Sequence, residues 1–263
     1  MSHLERARSA LFVPGDRPER FEKAAATGAL VLLDLEDAVA PEARGHARQE
    51  VRRWLDSGGH AVVRVQAASS PEHDADVAAV SGTAGLLGVM LARAERAEDV
   101  RALRAAVDAP VVALVETAAG IAAARELAVC SARLALGDQD LALDFGVAPR
   151  SPFVRVLAGE VVLASRLAGR PRPLDGVTPE LQDEELLQAD ATAGRDGGFG
   201  GKLCIHPRQV ATVETAYRPT EQEVRWARGI LAAAGSGAGV TTADGSMVDR
   251  PLVERARAVL RDV

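Results

Sequence analysis

Short apolar runs alternate with longer amphipathic stretches along most of the chain. "SALFV" (9–13) precedes "RPERFEKAAAT" (17–27), "ALVLLDL" (29–35) precedes "ARGHARQEVRRWLDS" (43–57), and "AVVRV" (61–65) precedes "PEHDADVAAV" (71–80). "GLLGVML" (85–91) and "PVVALVE" (110–116) are followed by helical patterns over 94–107 and 118–129. "ARLALG" (132–137) opens a long helical region to about Leu167, "RPLDGV" (172–177) leads into 179–196, and "GGKLCI" (200–205) into 207–217. The seventh run has the weakest strand pattern. The apolar runs are continuous rather than alternating, so both faces are expected to be buried, as in a parallel sheet. Eight strand-then-helix units in about 220 residues predict an α/β fold of the TIM (β/α)8 type rather than an open doubly wound sheet.

Local signals mark several boundaries. "DRPE" offers Asp16 as an N-cap, with Pro18 in the first turn and Glu19 at the third position. "TEQE" (220–223) is a capping box that opens a ninth helix to about Ala234, "GSGAG" (235–239) is a break, and "VDRP" opens a last helix. The division expected is a barrel catalytic domain over 1–218 and a C-terminal helical extension over 219–263. The extension is expected to pack outside the barrel or at a subunit interface.

Composition narrows the function. The 263 residues are 48% hydrophobic, ample for one large core. A net charge of −6 and 3% aromatic residues give neither an electrostatic grip on nucleic acid nor a base-stacking platform. Cys130 and Cys204 have no metal-ligand spacing and form no disulfide framework, which points to a reducing cytoplasm. The N-terminal apolar run is too short for a secretory signal, and no stretch reaches the roughly 20 apolar residues of a membrane span.

In a TIM barrel the reacting groups sit at the C-terminal ends of the strands. There the sequence places Asp34, Glu36 and Asp37 after strand two, Arg64 on strand three, Glu116 after strand five, Asp138 and Asp140 after strand six, and His206 after strand eight. Clustered acids repel unless a cation neutralises them, and an all-oxygen donor set favours Mg²⁺ or Mn²⁺ over zinc. Each residue also has a plainer reading. Glu36 and Asp37 could cap turns, Glu116 could favour a helix dipole, one of Asp138 and Asp140 could make an Asx turn, Arg64 could pair with Glu36, and His206 could be a turn residue. "GGFGGK" (197–202) precedes a strand and lacks the P-loop spacing. No serine lies in a G-x-S-x-G elbow.

The segments "RSALFVPGDRPERFEKAAATGALVLLDLEDAVAPEAR", "VVRVQ", "VALVETAAGI", "LALGDQDLALDFG" and "GGKLCIHPRQV", in this order, resemble the citrate lyase β-subunit-like family, which is related to malyl-CoA and citramalyl-CoA lyases. The resemblance implies a Mg²⁺-dependent TIM barrel that cleaves or forms a carbon–carbon bond. The substrates implied are 3-hydroxyacyl thioesters of CoA or an acyl carrier, split into an α-keto acid and an acyl thioester. It implies Glu116 and Asp140 as metal ligands, Arg64 and Glu116 as substrate contacts, and Glu36 and Asp37 as groups that hold metal waters or orient Arg64. Asp249 in "GSMVDRP" matches a proton donor that reaches in from a neighbouring subunit, and it is equally a good N-cap before Pro251. The resemblance further implies a homo-oligomer, a trimer. Two other readings stand beside it: an aldolase on free hydroxy-keto acids, and a subunit active only within a larger lyase complex. The chain departs from the family pattern at Gln66, where Asn is usual and which is expected beside the substrate, and at Ala92-Arg93, where Pro-Lys is usual.

Overall fold

The continuous apolar runs form eight parallel strands. They are β1 (Ser9–Pro14), β2 (Leu30–Asp34), β3 (Ala61–Val65), β4 (Leu86–Leu91), β5 (Val111–Val115), β6 (Arg133–Leu136), β7 (Leu174–Asp175) and β8 (Gly201–Cys204). Each pairs with its sequence neighbour, and β1 closes on β8 with Ser9 opposite Lys202. The computed structural model describes residues 2–235 and 248–261.

Thirteen helices are present among the described residues: α1 (His3–Arg6), α2 (Phe21–Ala25), α3 (Arg44–Asp56), α4 (His73–Val80), α5 (Ala97–Val107), α6 (Ala118–Ala122), α7 (Ala124–Cys130), α8 (Asp138–Phe145), α9 (Pro152–Leu167), α10 (Glu184–Asp196), α11 (Pro207–Tyr217), α12 (Glu221–Gly235) and α13 (Arg250–Arg261). The chain divides into two compact units, residues 1–214 and 215–263. Within the second, Ala227 and Ile230 of α12 pack on Ala256 of α13. No helix among the described residues is long and apolar enough to cross a membrane.

The barrel interior is filled by every second residue of the strands. Ala10, Leu30, Leu32, Val62, Met90, Val112, Leu114 and Leu203 form one buried cluster. Period-two alternation then fixes what comes next on each strand. Asp34 follows Leu32, Arg64 follows Val62, and Glu116 follows Leu114, so all three stand directly above the apolar core.

The opposite end is closed. Leu4 of α1 packs into the interior cluster. Arg133, 1% exposed, donates to the carbonyls of Leu4 at 3.0 Å, Ala7 at 2.8 Å and Arg172 at 2.8 Å. A buried guanidinium needs such acceptors for its five N–H donors.

Several local expectations change. β7 keeps only Leu174 and Asp175 of the run 172–177, and α10 begins at Glu184 behind an Asp183 N-cap rather than at 179. The pattern over 118–129 breaks into α6 and α7. The region to Leu167 breaks into α8 and α9, because Gly146 ends α8 in the left-handed conformation and Ser151 caps α9. Asp16 is not an N-cap: a single 3-10 turn, Pro18–Arg20, starts after Arg17 and carries no side-chain cap. The Thr220–Glu223 capping box forms, with Glu223 N–H donating to Thr220 Oγ1 at 3.1 Å and Thr220 N–H to Glu223 Oε2 at 2.7 Å. The break expected at 235–239 lies, beyond Gly235, outside the described residues.

Candidate active site

The mouth above the core holds a cavity of about 300 Å³ lined by Phe12, Asp34, Asp37, Arg64, Glu116, Asp138 and Asp140, with Leu114 and Leu203 at its floor. Its acids come from three strand ends, β2, β5 and β6, and its cation from β3.

Arg64 is the organising residue. Nε donates to Asp34 Oδ1 and Nη2 to Asp34 Oδ2, both at 2.7 Å, in a side-on two-pronged pair. Nη1 lies 2.9 Å from Glu36 Oε2, an ion pair without hydrogen-bond geometry, and 3.5 Å from Asp37 Oδ2. The guanidinium carbon sits 4.7 Å from the centre of the Phe12 ring, a cation–π contact beneath the fork. The surrounding carboxylates hold the guanidinium firmly charged. Asp34 is fully committed, since it also accepts the N–H groups of Glu36 and Ala38 at 3.0 Å each. It thereby shapes the turn that presents Glu36 and Asp37.

Glu116, 3% exposed, receives the Arg93 N–H on Oε1 at 2.6 Å. Arg93 reaches it from a left-handed backbone conformation, φ 46°, a strained state for a residue with a side chain. Gly137 packs so closely that a Cβ there would lie 2.5 Å from Glu116 Oε2. Burial first, then the neighbouring Asp140 and Asp37, push the Glu116 carboxyl up to about 7. Asp140 stands in the first turn of α8 and is raised by burial and by Asp37, while its hydrogen bond with Glu116 acts the other way. Glu36 is pushed up to about 8, by burial and then by Asp37 and Glu116 against the pull of Arg64.

This arrangement fits a hard divalent cation. Glu116 and Asp140 are two oxygen donors in contact, both disfavoured as anions while no cation lies between them. Among the described residues no three His, Cys, Asp or Glu side chains converge into a closed metal cage. Mg²⁺ needs none, because it is typically held by one or two carboxylates with its remaining positions on water or substrate.

Residues 8–207 match the HpcH/HpaI aldolase/citrate lyase family. The chain belongs to this family. It is therefore an enzyme of a lyase family, and its barrel matches that of solved relatives. The protein CitE of Mycobacterium tuberculosis, solved in complex with magnesium, acetoacetate and coenzyme A, superposes with a TM-score of 0.87 at 38% identity over 98% of both chains. A (3S)-malyl-CoA thioesterase of Cereibacter sphaeroides is 34% identical over 96% of this chain and 93% of its own. An L-malyl-CoA/beta-methylmalyl-CoA lyase of Rhodobacter capsulatus is 33% identical over 97% and 93%.

Of the residues singled out in the HpcH/HpaI-type sequence, the fold brings Arg64, Glu36, Asp37, Glu116 and Asp140 together. Gln66 is buried and engaged with the backbone: Nε2 donates to the Leu35 carbonyl at 3.1 Å, and its own N–H goes to Asp76 at 3.0 Å. His206 takes its plainer reading, accepting the Arg208 N–H at 3.1 Å in the turn before α11. Asp249 belongs to the second unit, where its Oδ1 accepts the Leu252 N–H at 3.0 Å and caps α13. Phe12 was not singled out, although it continues the inward alternation from Ala10. Asp138, one of the acids the sequence places after strand six, lines the cavity, and burial pushes its carboxyl up to about 6.

Proposed function

We propose that this enzyme is a Mg²⁺-dependent carbon–carbon lyase. It cleaves a 3-hydroxyacyl-CoA-type thioester to an α-keto acid and an acyl thioester, or runs the reverse condensation. The observation that carries the reading is the Glu116–Asp140 pair set beside Arg64 at the mouth of the barrel. The magnesium, acetoacetate and coenzyme A of the 38% identical CitE complex support it.

Glu116 and Asp140 would hold Mg²⁺, or Mn²⁺ in its place. When bound, the ion supplies charge stabilisation to keto-acid oxygens as negative charge develops on them. Arg64 binds the keto-acid carboxylate. Asp34 occupies the Nε/Nη2 edge of the guanidinium, and an incoming carboxylate would take Nη1 in place of Glu36, 2.9 Å away, and Asp37, 3.5 Å away. Burial, then Asp37 and Glu116, push the Glu36 carboxyl up to about 8 against the pull of Arg64, so negative charge on Glu36 is disfavoured beside that edge. Phe12 shields the lower face of Arg64 from water. Asp249 is the proposed proton donor to the acyl carbon, acting from a neighbouring copy of the chain in a homo-oligomer, a trimer.

Calorimetric titration of Mg²⁺ in the presence of oxaloacetate, glyoxylate or pyruvate tests the metal pair. Glu116→Ala and Asp140→Ala are expected to lose Mg²⁺-dependent keto-acid binding while keeping a cooperative melt. Normal affinity in both variants removes the assignment. The similarity to a malyl-CoA thioesterase favours one second reading, hydrolysis of the thioester. Product analysis separates the two: a lyase releases a keto acid and an acyl-CoA, a thioesterase a hydroxy acid and free CoA.

A further inference from the structure

Helix α8 carries Asp140 but has no cap of its own, because Gly137 occupies the N-cap position and offers no side chain. Four unpaired N–H groups open any helix, so an uncapped start is free to fray. Here the first turn is held from outside. Asp138 Oδ1 accepts the Val177 N–H at 3.1 Å. The seat for that carboxylate is Gly176, where any Cβ would fall inside the Asp138 carboxylate group. Gly176 is fixed in turn by Lys202, whose Nζ donates to the Gly176 carbonyl at 2.7 Å and lies 3.7 Å from Asp175 Oδ2. Lys202 is 2% exposed. An ammonium taken this far out of water needs fixed partners, so its position is well defined.

The far end of the helix is anchored as well. Asp144 Oδ2 accepts the Ala118 N–H at 2.7 Å, at the first residue of α6 and two residues beyond Glu116. Helix α8 is thus tied at its start to the ends of β7 and β8, and at its finish to the segment that carries Glu116.

We propose that Lys202, Gly176, Asp138 and Asp144 form a positioning brace that sets the spacing between the Asp140 and Glu116 carboxylates and so tunes divalent-cation affinity. The proposal rests on the reading of Glu116 and Asp140 as the metal pair and adds four residues to it. Lys202 acts on Asp138 through Gly176 and also directly by its charge. Its side chain also borders a cavity of about 270 Å³ that shares Leu136, Asp138, Gln139 and Val177 with the candidate site. Methionine removes the hydrogen bond to the Gly176 carbonyl and the positive charge that faces the buried Asp175 and Asp138 carboxylates.

The test is Mg²⁺ affinity by calorimetry together with metal-free melting temperature, measured on the intact chain. Lys202→Met, Asp138→Ala and Asp144→Ala are expected to weaken Mg²⁺ binding by about 10–100-fold, the usual effect of removing a group that orients a ligand. Asp138→Asn and Asp144→Asn keep an acceptor oxygen and are expected to restore affinity to within about threefold, which a purely structural role tied to charge burial would not do. Asp144 lies at the surface end of α8, so its variants report even where Lys202→Met fails to fold. Folded Asp138→Ala and Asp144→Ala proteins that bind Mg²⁺ within about twofold of wild type, while Glu116→Ala has lost it, overturn the brace and leave the metal pair standing. An Asn variant as weak as its Ala counterpart also overturns the hydrogen-bond brace. Normal Mg²⁺ binding by Glu116→Ala overturns both readings.

Discussion

Asp34 and Arg64 meet side-on, two hydrogen bonds of 2.7 Å between adjacent strands β2 and β3, with both partners buried. Asp34 stands opposite Arg64 in the strand register, so the sheet itself brings the pair together. Removing Asp34 leaves a buried guanidinium without its main counter-charge. Asp34→Ala is expected to cost about 3–5 kcal/mol of stability, as broken buried pairs do, and to release Arg64 toward Glu36 and Asp37. Chemical denaturation checks it, and a loss below about 1 kcal/mol would show that the pair is not holding the site together.

Arg64→Lys should bind Mg²⁺ normally and lose keto-acid affinity. Lysine keeps the charge but cannot give one edge to Asp34 and another to a carboxylate, and a charged hydrogen bond is worth roughly 1.5–3 kcal/mol. Titration with oxaloacetate at saturating Mg²⁺ measures this. Unchanged affinity would take Arg64 out of substrate recognition.

The raised carboxyls give a signed pH dependence. Glu36 and Glu116 move from an ordinary 4.5 to about 8 and about 7. Between these limits the folded protein binds more protons than the unfolded chain, so their contribution to stability is largest on the acid side and is lost as pH rises through 7 to 8. Mg²⁺ needs ionised Glu116, so its affinity should rise over the same interval. Thermal melts at pH 5.5 and 8.5 are expected to show a larger gain on adding Mg²⁺ at the higher pH. Equal gains would contradict the assignment of Glu116.

Arg93 offers a backbone test. Its left-handed conformation aims an N–H at Glu116. Arg93→Gly should keep the donor and relieve about 1–2 kcal/mol of strain, raising the melting temperature without weakening Mg²⁺ binding. Arg93→Pro removes the N–H and cannot adopt that φ, so it should lose both. Mg²⁺ binding by the proline variant at wild-type strength would show that the contact is incidental.

Asp249→Asn preserves a good helix cap, so it separates chemistry from folding. Metal and keto-acid binding should persist while turnover falls by about 10²–10⁴-fold. Mixing inactive Asp249→Asn and Glu116→Ala chains should restore activity through hybrid interfaces. Wild-type turnover in the single variant would reduce Asp249 to a cap.

The barrel was legible because parallel strands buried on both faces leave unbroken apolar runs, as in "ALVLLDL" and "PVVALVE". Glu116 and Arg64 were legible because they end or interrupt such runs. Asp138 was legible as a strand-end acid but its partner was not, since Val177 lies 39 residues away and leaves no local pattern. Strand β7 was over-read because its pairing reaches only Leu174 and Asp175, after which Gly176 turns to seat Asp138. The break between α8 and α9 had a local signal that was passed over: Gly146 as a left-handed stop and Ser151-Pro152 as a fresh start. Asp16 carried a cap-like pattern that a single 3-10 turn did not use.

Arg133 ties the chain's opening residues to a position 129 residues later, and β1 gains its second neighbour only with β8. On the ribosome, the first strand therefore waits with one edge bare until the residues of β8, Gly201–Cys204, have emerged. Non-local closure of this kind is slow, and an unpaired edge is a template for association with other chains. Shielding that edge during synthesis, by slower, cooler expression or holdase chaperones, is expected to raise the yield of folded protein.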